Sequence, residues 1–111
     1  MRTTSAARTT TDSIPRDASS PGPAIHPGEI LLEEFLRPLE MTQAAAAKAL
    51  GMSTVRLNEL VRGKRGVTAD TALRLAQLFQ TTPQFWMHMQ ANHDLKVAMT
   101  RRRVMQLAQR P

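Results

Sequence analysis

The chain has 111 residues, 41% of them apolar and 22% charged, with 15 Lys and Arg against 9 Asp and Glu, for a net charge of +6. That length accommodates one small domain, which buries only about 60 to 65% of its unfolded surface, so a second subunit is expected to add stability and a homodimer is the default. The absence of cysteine excludes thiol catalysis and thiolate zinc sites, and no apolar run approaches the roughly 18 residues of a membrane span, so the expected location is cytoplasmic.

Residues 1–25 consist mainly of Ser, Thr, Ala, Pro and Arg and read as a disordered tail, because they have too little apolar surface to offset their ordering entropy. Asp12, Asp17 and the prolines argue against an import signal. The domain proper is expected over 26–99, followed by a basic C-terminal tail over 100–111. Its first helix opens at Pro27 and Gly28, with Glu29 near the positive end of the helix dipole. Leu32, Phe35, Leu36 and Leu39 supply an apolar stripe at helical spacing, and Pro38 is expected to fray or kink the last turn. Thr42 caps an Ala-rich helix over 43–50, stopped by Gly51. Ser53 caps a third helix over about 54–62, which Gly63 closes. Thr68 caps a fourth, carrying Ala72, Leu75, Ala76 and Phe79 on one face, with Asp70 and Arg74 at ion-pair spacing. Thr82 and Pro83 begin a fifth, with Phe85, Trp86 and Met89, whose periodicity fades after about Leu95. Nothing alternates with period two, so the fold class is all-α, with five helices.

Charge is unevenly distributed: residues 27–41 carry −3, 42–80 carry +4 and 95–111 carry +5. Such separation points to two surfaces, the basic one suited to a polyanion and the acidic one to a cationic protein. Within the basic middle, the second and third helices are joined by about three residues with Gly first. This forms a helix-turn-helix only where small side chains let the helices cross closely. Ala46 and Ala47 provide that room, Gly51 makes the turn, Met52 plugs it, and Leu50, Leu57 and Leu60 fix the angle. With Leu57 and Leu60 inward, Thr54, Val55, Asn58 and Glu59 face outward as candidates for reading bases: Asn58 by a bidentate bond to adenine, Thr54 or Val55 on a thymine methyl, Glu59 on cytosine N4. Gln43, Ser53, Arg56, Arg62, Lys64 and Arg65 are the candidates for DNA phosphates.

These residues also carry a family resemblance. His26-Pro27-Gly28-Glu29, Thr42-Gln43, Arg62-Gly63-Lys64-Arg65-Gly66-Val67-Thr68, Thr82-Pro83-Gln84-Phe85-Trp86 and Asn92-His93-Asp94-Leu95 resemble the corresponding segments of HigA-type antitoxins in the lambda-repressor-like (XRE) helix-turn-helix superfamily. The likeness covers residues from about 26 to 95, and the Thr-Pro-x-Phe-Trp segment is its most specific part. It implies a five-helix lambda-repressor-like domain, a dimer that represses its own operon at a palindromic operator in the nucleoid, and neutralisation of a RelE/HigB-like ribonuclease toxin. Two recognition helices related by a two-fold axis would lie about 34 Å apart, one DNA turn. The long N-terminal tail and the Arg101–Arg103 cluster depart from the family pattern. For the toxin, the candidate contacts are Glu29, Glu33 and Glu40 on the acidic face of helix one, with folding of the N-terminal tail on the toxin as a second route.

Other readings rank lower. Phe35, Phe79, Phe85 and Trp86 sit at core spacings rather than forming a stacking platform. His88 and His93 share no helix face, so no metal and no cofactor is expected, and without a cysteine nucleophile, a phosphate loop or a cleft signal the chain does not read as an enzyme. A stand-alone repressor with the same DNA chemistry and no toxin is the principal alternative, and a pure protein-interaction module is a third.

Overall fold

The computed structural model describes residues 23–109, and every regular element in that range is helical. Most of the expected N-terminal tail lies outside the described residues. Helix α1 (Pro27–Ile30) continues into a π-helical segment (Leu31–Leu36), followed by α2 (Gln43–Leu50), α3 (Thr54–Val61), α4 (Ala69–Phe79) and α5 (Pro83–Ala108).

Each later helix begins where a hydroxyl can satisfy a free amide. Thr42, Ser53, Thr68 and Thr82 accept from the N–H three residues on, the N-cap arrangement that offsets the loss of intrahelical partners in the first turn. Gly51 at φ 71° and Gly63 at φ 76° take the left-handed conformation after α2 and α3. Gln80 does the same after α4 at φ 59°.

Helix one differs from a regular α-helix, and its buried stripe shifts accordingly. The Arg37 amide donates to the Leu32 carbonyl at 3.0 Å and the Met41 amide to the Leu36 carbonyl at 2.9 Å, bonds five residues long that widen the helix. The wide turn lies directly ahead of Pro38, which would otherwise press on the Glu34 carbonyl. Leu31 and Leu36, five apart, therefore point into the core, Leu32 and Phe35 pack at its edge, and Leu39 is 58% exposed. The expectation that Leu39 belongs to the buried stripe is corrected by this change of helical period.

The core comprises Leu31, Leu36, Ala46, Ala47, Leu50, Leu57, Leu60, Val67, Ala72, Leu75 and Trp86. Trp86 has no exposed surface, and its indole N–H donates to Thr81 Oγ1 at 2.7 Å, satisfying the one polar atom this ring buries. Phe35 lies 5.0 Å from Phe79 and 5.3 Å from Trp86 between ring centres. Phe85, grouped with the core from sequence, is 39% exposed at the rim. Helix α5 runs well past the expected end near Leu95, and the basic segment from residue 100 continues it as helix through Ala108.

Candidate nucleic-acid interface

Helices α2 and α3 cross over Ala46, Ala47, Leu50, Leu57 and Leu60, all buried. The turn between them is held from α4: Arg74 Nη1 donates to the Leu50 carbonyl at 2.8 Å and the Gly51 carbonyl at 3.3 Å, while Arg74 Nε bonds Asp70 at 2.9 Å. The Asp70–Arg74 pair follows from its spacing, whereas the guanidinium cap on α2 crosses more than twenty residues and has no local signature. It satisfies carbonyls that the end of α2 leaves without intrahelical donors.

Burying Leu57 and Leu60 turns the opposite side of α3 outward. Thr54 is exposed and Val55 is 70% exposed, while Asn58 and Glu59 are half-buried. Asn58 Nδ2 donates to Gln43 Oε1 at 3.1 Å, which joins a base candidate to a phosphate candidate. The Asn58 carbonyl and the Gln43 NH2 remain available. Glu59 Oε1 accepts from Arg65 Nε at 3.1 Å and Nη2 at 2.7 Å, so the loop cation is drawn against the recognition helix and Glu59 already has a partner. The Ser53 hydroxyl accepts from the Arg56 amide at 3.0 Å and acts first as a cap. Arg56 is half-buried, and Arg62 and Lys64 are exposed.

The loop after α3 is anchored by residues that sequence reasoning missed. The Val67 amide donates to the buried Gln90 Oε1 at 2.6 Å, and Gln90 Nε2 donates to Asp94 Oδ1 at 2.9 Å. A Cβ at Gly66 would come within 3.2 Å of the Gln90 amide, so the chain passes close over α5. The available signal was a glutamine four residues after Trp86, on the face where an apolar residue is expected. His26 completes this corner: its Nδ1 accepts from the Gly28 amide at 2.9 Å, and its ring meets His93 edge-on at 4.8 Å. Burial, and next the neighbouring His93, lower the His26 pKa against weaker opposing effects that include Asp94 and Glu29.

The acidic candidates Glu29, Glu33 and Glu40 are all exposed. Glu33 pairs with Arg37 at 3.1 Å, and Glu40 sits at φ 52° where the chain turns towards α2. Among the described residues there is no group of three metal-ligating side chains, and no helix is long and apolar enough to cross a membrane.

Two short helices joined at a left-handed glycine, with a polar face turned outward and a basic loop beside it, define a helix-turn-helix DNA-binding domain. A helix-turn-helix family model matches residues 32–86. Virulence-associated protein I of Dichelobacter nodosus is 57% identical over 76 residues, 68% of this chain and 70% of that protein. The structure of Pseudomonas aeruginosa antitoxin HigA with the higBA promoter is 40% identical with a TM-score of 0.71, covering 79% of this chain and 96% of that one. A second P. aeruginosa protein, solved with its 18 bp operator DNA, is 46% identical with a TM-score of 0.67, covering 71% and 84%. The chain belongs to the HigA-type antitoxins, a helix-turn-helix family of DNA-binding regulators rather than a class of enzymes.

Proposed function

We propose that this chain is a homodimeric, cytoplasmic antitoxin that represses its own operon by binding a palindromic operator and neutralises a RelE/HigB-like ribonuclease toxin. The observation that carries the DNA half is the outward face of α3, where Val55, an aliphatic side chain 70% exposed, stands beside exposed Thr54 and half-buried Asn58. An exposed methyl pair next to an amide suits thymine methyls and an adenine edge in the major groove. In this reading Thr54, Val55, Asn58 and Glu59 meet bases, Glu59 by exchanging part of its bond to Arg65. Gln43, Ser53, Arg56, Arg62, Lys64 and Arg65 meet phosphates and add affinity without sequence information. The toxin meets the acidic face of helix one through Glu29, Glu33 and Glu40, supported by the −3 charge of residues 27–41 in a basic chain.

Operator binding is measured by fluorescence anisotropy on the chain's own promoter across a salt series. Asn58→Ala and Thr54→Ala should each cost about 1 to 3 kcal/mol and relax sequence preference, whereas Lys64→Ala should weaken all sequences alike and lower the salt slope by about 1. Equal losses on operator and random DNA for Asn58→Ala would refute the base-reading role. Co-expression with the product of the adjacent gene, followed by pull-down, tests the toxin half. Glu33→Lys with Glu40→Lys should abolish capture and spare operator binding, while operator binding with no captured partner leaves a stand-alone repressor.

A further inference from the structure

Helix α5 outruns the domain it closes. Its 26 residues span about 39 Å, yet its buried residues are Trp86 and Gln90, and every residue from Ala98 through Gln109 is exposed. Trp86, Gln90 and His93 lie on one face at steps of four and three, and all three use that face on their own domain: Trp86 in the core, Gln90 on the Val67 amide, His93 against His26. The same alternation of four and three continues through Val97, Thr100, Val104 and Leu107, the period that keeps a helix face turned to a single partner. Val97 is half-buried at the domain edge, while Val104 and Leu107 are 59% and 55% exposed. A stretch of about a dozen residues held by nothing but its own backbone bonds is marginal as a helix in water. The continued face therefore calls for a second surface.

Charge selects that surface. The seam is flanked by Lys96, Arg101 and Arg103, none of them in an ion pair among the described residues, and residues 95–111 contain no acid. Two such seams laid together would set cation against cation along both edges, which disfavours their pairing. The complementary surface is on helix one: Glu29, Glu34 and Glu40 are exposed and outside the ion pairs of the described residues, beside Leu39 at 58% exposure. On its own chain helix one meets α5 at the His26–His93 contact, about two turns, or 12 Å, short of Arg101.

We propose that the distal half of α5 docks on helix one of a second copy. A two-fold axis then makes the contact twice, and the two copies exchange helices. Val97, Val104 and Leu107 cover the surface around Leu39, while Lys96, Arg101 and Arg103 meet the unpaired glutamates. The inference rests on the homodimer of the preceding reading and supplies its surface. It also makes the exchanged helix and a toxin seated on Glu29 and Glu40 mutually exclusive.

The test uses full-length protein, analytical ultracentrifugation and native mass spectrometry. Arg101→Glu with Arg103→Glu, and separately Glu34→Lys with Glu40→Lys, should each raise the dimer dissociation constant roughly tenfold or more while leaving the thermal melt of the monomeric domain in place. An equimolar mixture of the two variants should restore dimer at wild-type strength as a heterodimer, since both of its contacts are again of opposite charge. A Glu34→Lys, Glu40→Lys variant that dimerises like wild type overturns the proposal in favour of seam-to-seam pairing. So does an arginine variant that loses operator affinity with its dimer intact, which would make the helix a phosphate contact. If wild-type protein ignores its promoter yet the variants show the expected exchange, the DNA reading fails and the interface stands.

Discussion

Alanine at Gly28 would force apart two backbones that now touch. A Cβ there would overlap the Leu60 carbonyl oxygen and lie 2.7 Å from the Leu60 carbonyl carbon and 3.0 Å from Val61 Cα, where ordinary carbon contacts are about 3.5 to 4.0 Å. The obstacle cannot rotate away, because the Leu60 carbonyl is fixed in the last turn of α3 and accepts from the Gly63 amide at 3.0 Å. Helix one must retreat by about an ångström, or the end of the recognition helix must shift. Overpacking costs about 1 to 3 kcal/mol where side chains can adjust, and a backbone clash belongs at or above the top of that range. At about 4 to 8 °C per kcal/mol for a domain of this size, Gly28→Ala should lower Tm by roughly 12 to 24 °C. Differential scanning calorimetry reads the effect directly. Operator binding measured well below the transition should weaken too, since the displacement falls on α3. Gly66→Ala, which meets the flexible Gln90 side chain at 3.2 Å, is the milder comparison. A Gly28→Ala protein melting within about 2 °C of wild type would refute the close keying of helix one to α3.

His26 gives stability a defined pH dependence. Its lowered pKa means the unfolded chain binds the proton more readily, so its contribution is complete above about pH 6.5 and is lost as pH falls from there through the folded-state value. His26→Asn keeps a capping acceptor and should flatten that part of the Tm profile; an unchanged profile would count against the assignment. Gln90→Ala leaves the Val67 amide buried without its acceptor, a cost of about 1 to 3 kcal/mol. It should also reduce the salt slope of operator binding by freeing Lys64 and Arg65, and a stability loss with the salt slope intact would separate the two roles. Arg74→Ala exposes the last carbonyls of α2 and should cost about 1 to 2 kcal/mol in chemical denaturation, with Arg74→Lys recovering only part because it cannot bond Asp70 and both carbonyls in the same fork geometry.

Helix starts were legible because Thr42, Ser53, Thr68 and Thr82 each announce a cap, and the crossing of α2 and α3 was legible because Ala46, Ala47 and Gly51 leave room for it. The π-helical turn was not, since the leucines of helix one fit a spacing of 3.6 as well as one of five, and Pro38 signalled trouble without saying how it would be resolved. The outward face of α3 followed from Leu57 and Leu60 alone. Its internal ties did not: Asn58 reaches Gln43 across 15 positions, Arg74 reaches Leu50 across 24 and Gln90 reaches Val67 across 23, distances over which pairing is decided by packing rather than by period. The length of α5 was missed because its seam beyond Leu95 is sparse, with only Val97, Val104 and Leu107 marking it.

The mooring of Val67 to Gln90 bears on how far the molecule can be trimmed. The family match ends at residue 86, and a fragment cut there would retain both crossing helices while losing the glutamine, the second histidine and Asp94. Its basic loop would have no anchor on the far side, and the imidazole at position 26 would lose its neighbour. The smallest autonomous reader of DNA in this chain therefore extends from His26 through Asp94, and truncations that respect only the motif's borders should yield a protein with intact helices and a misdirected grip on the phosphates.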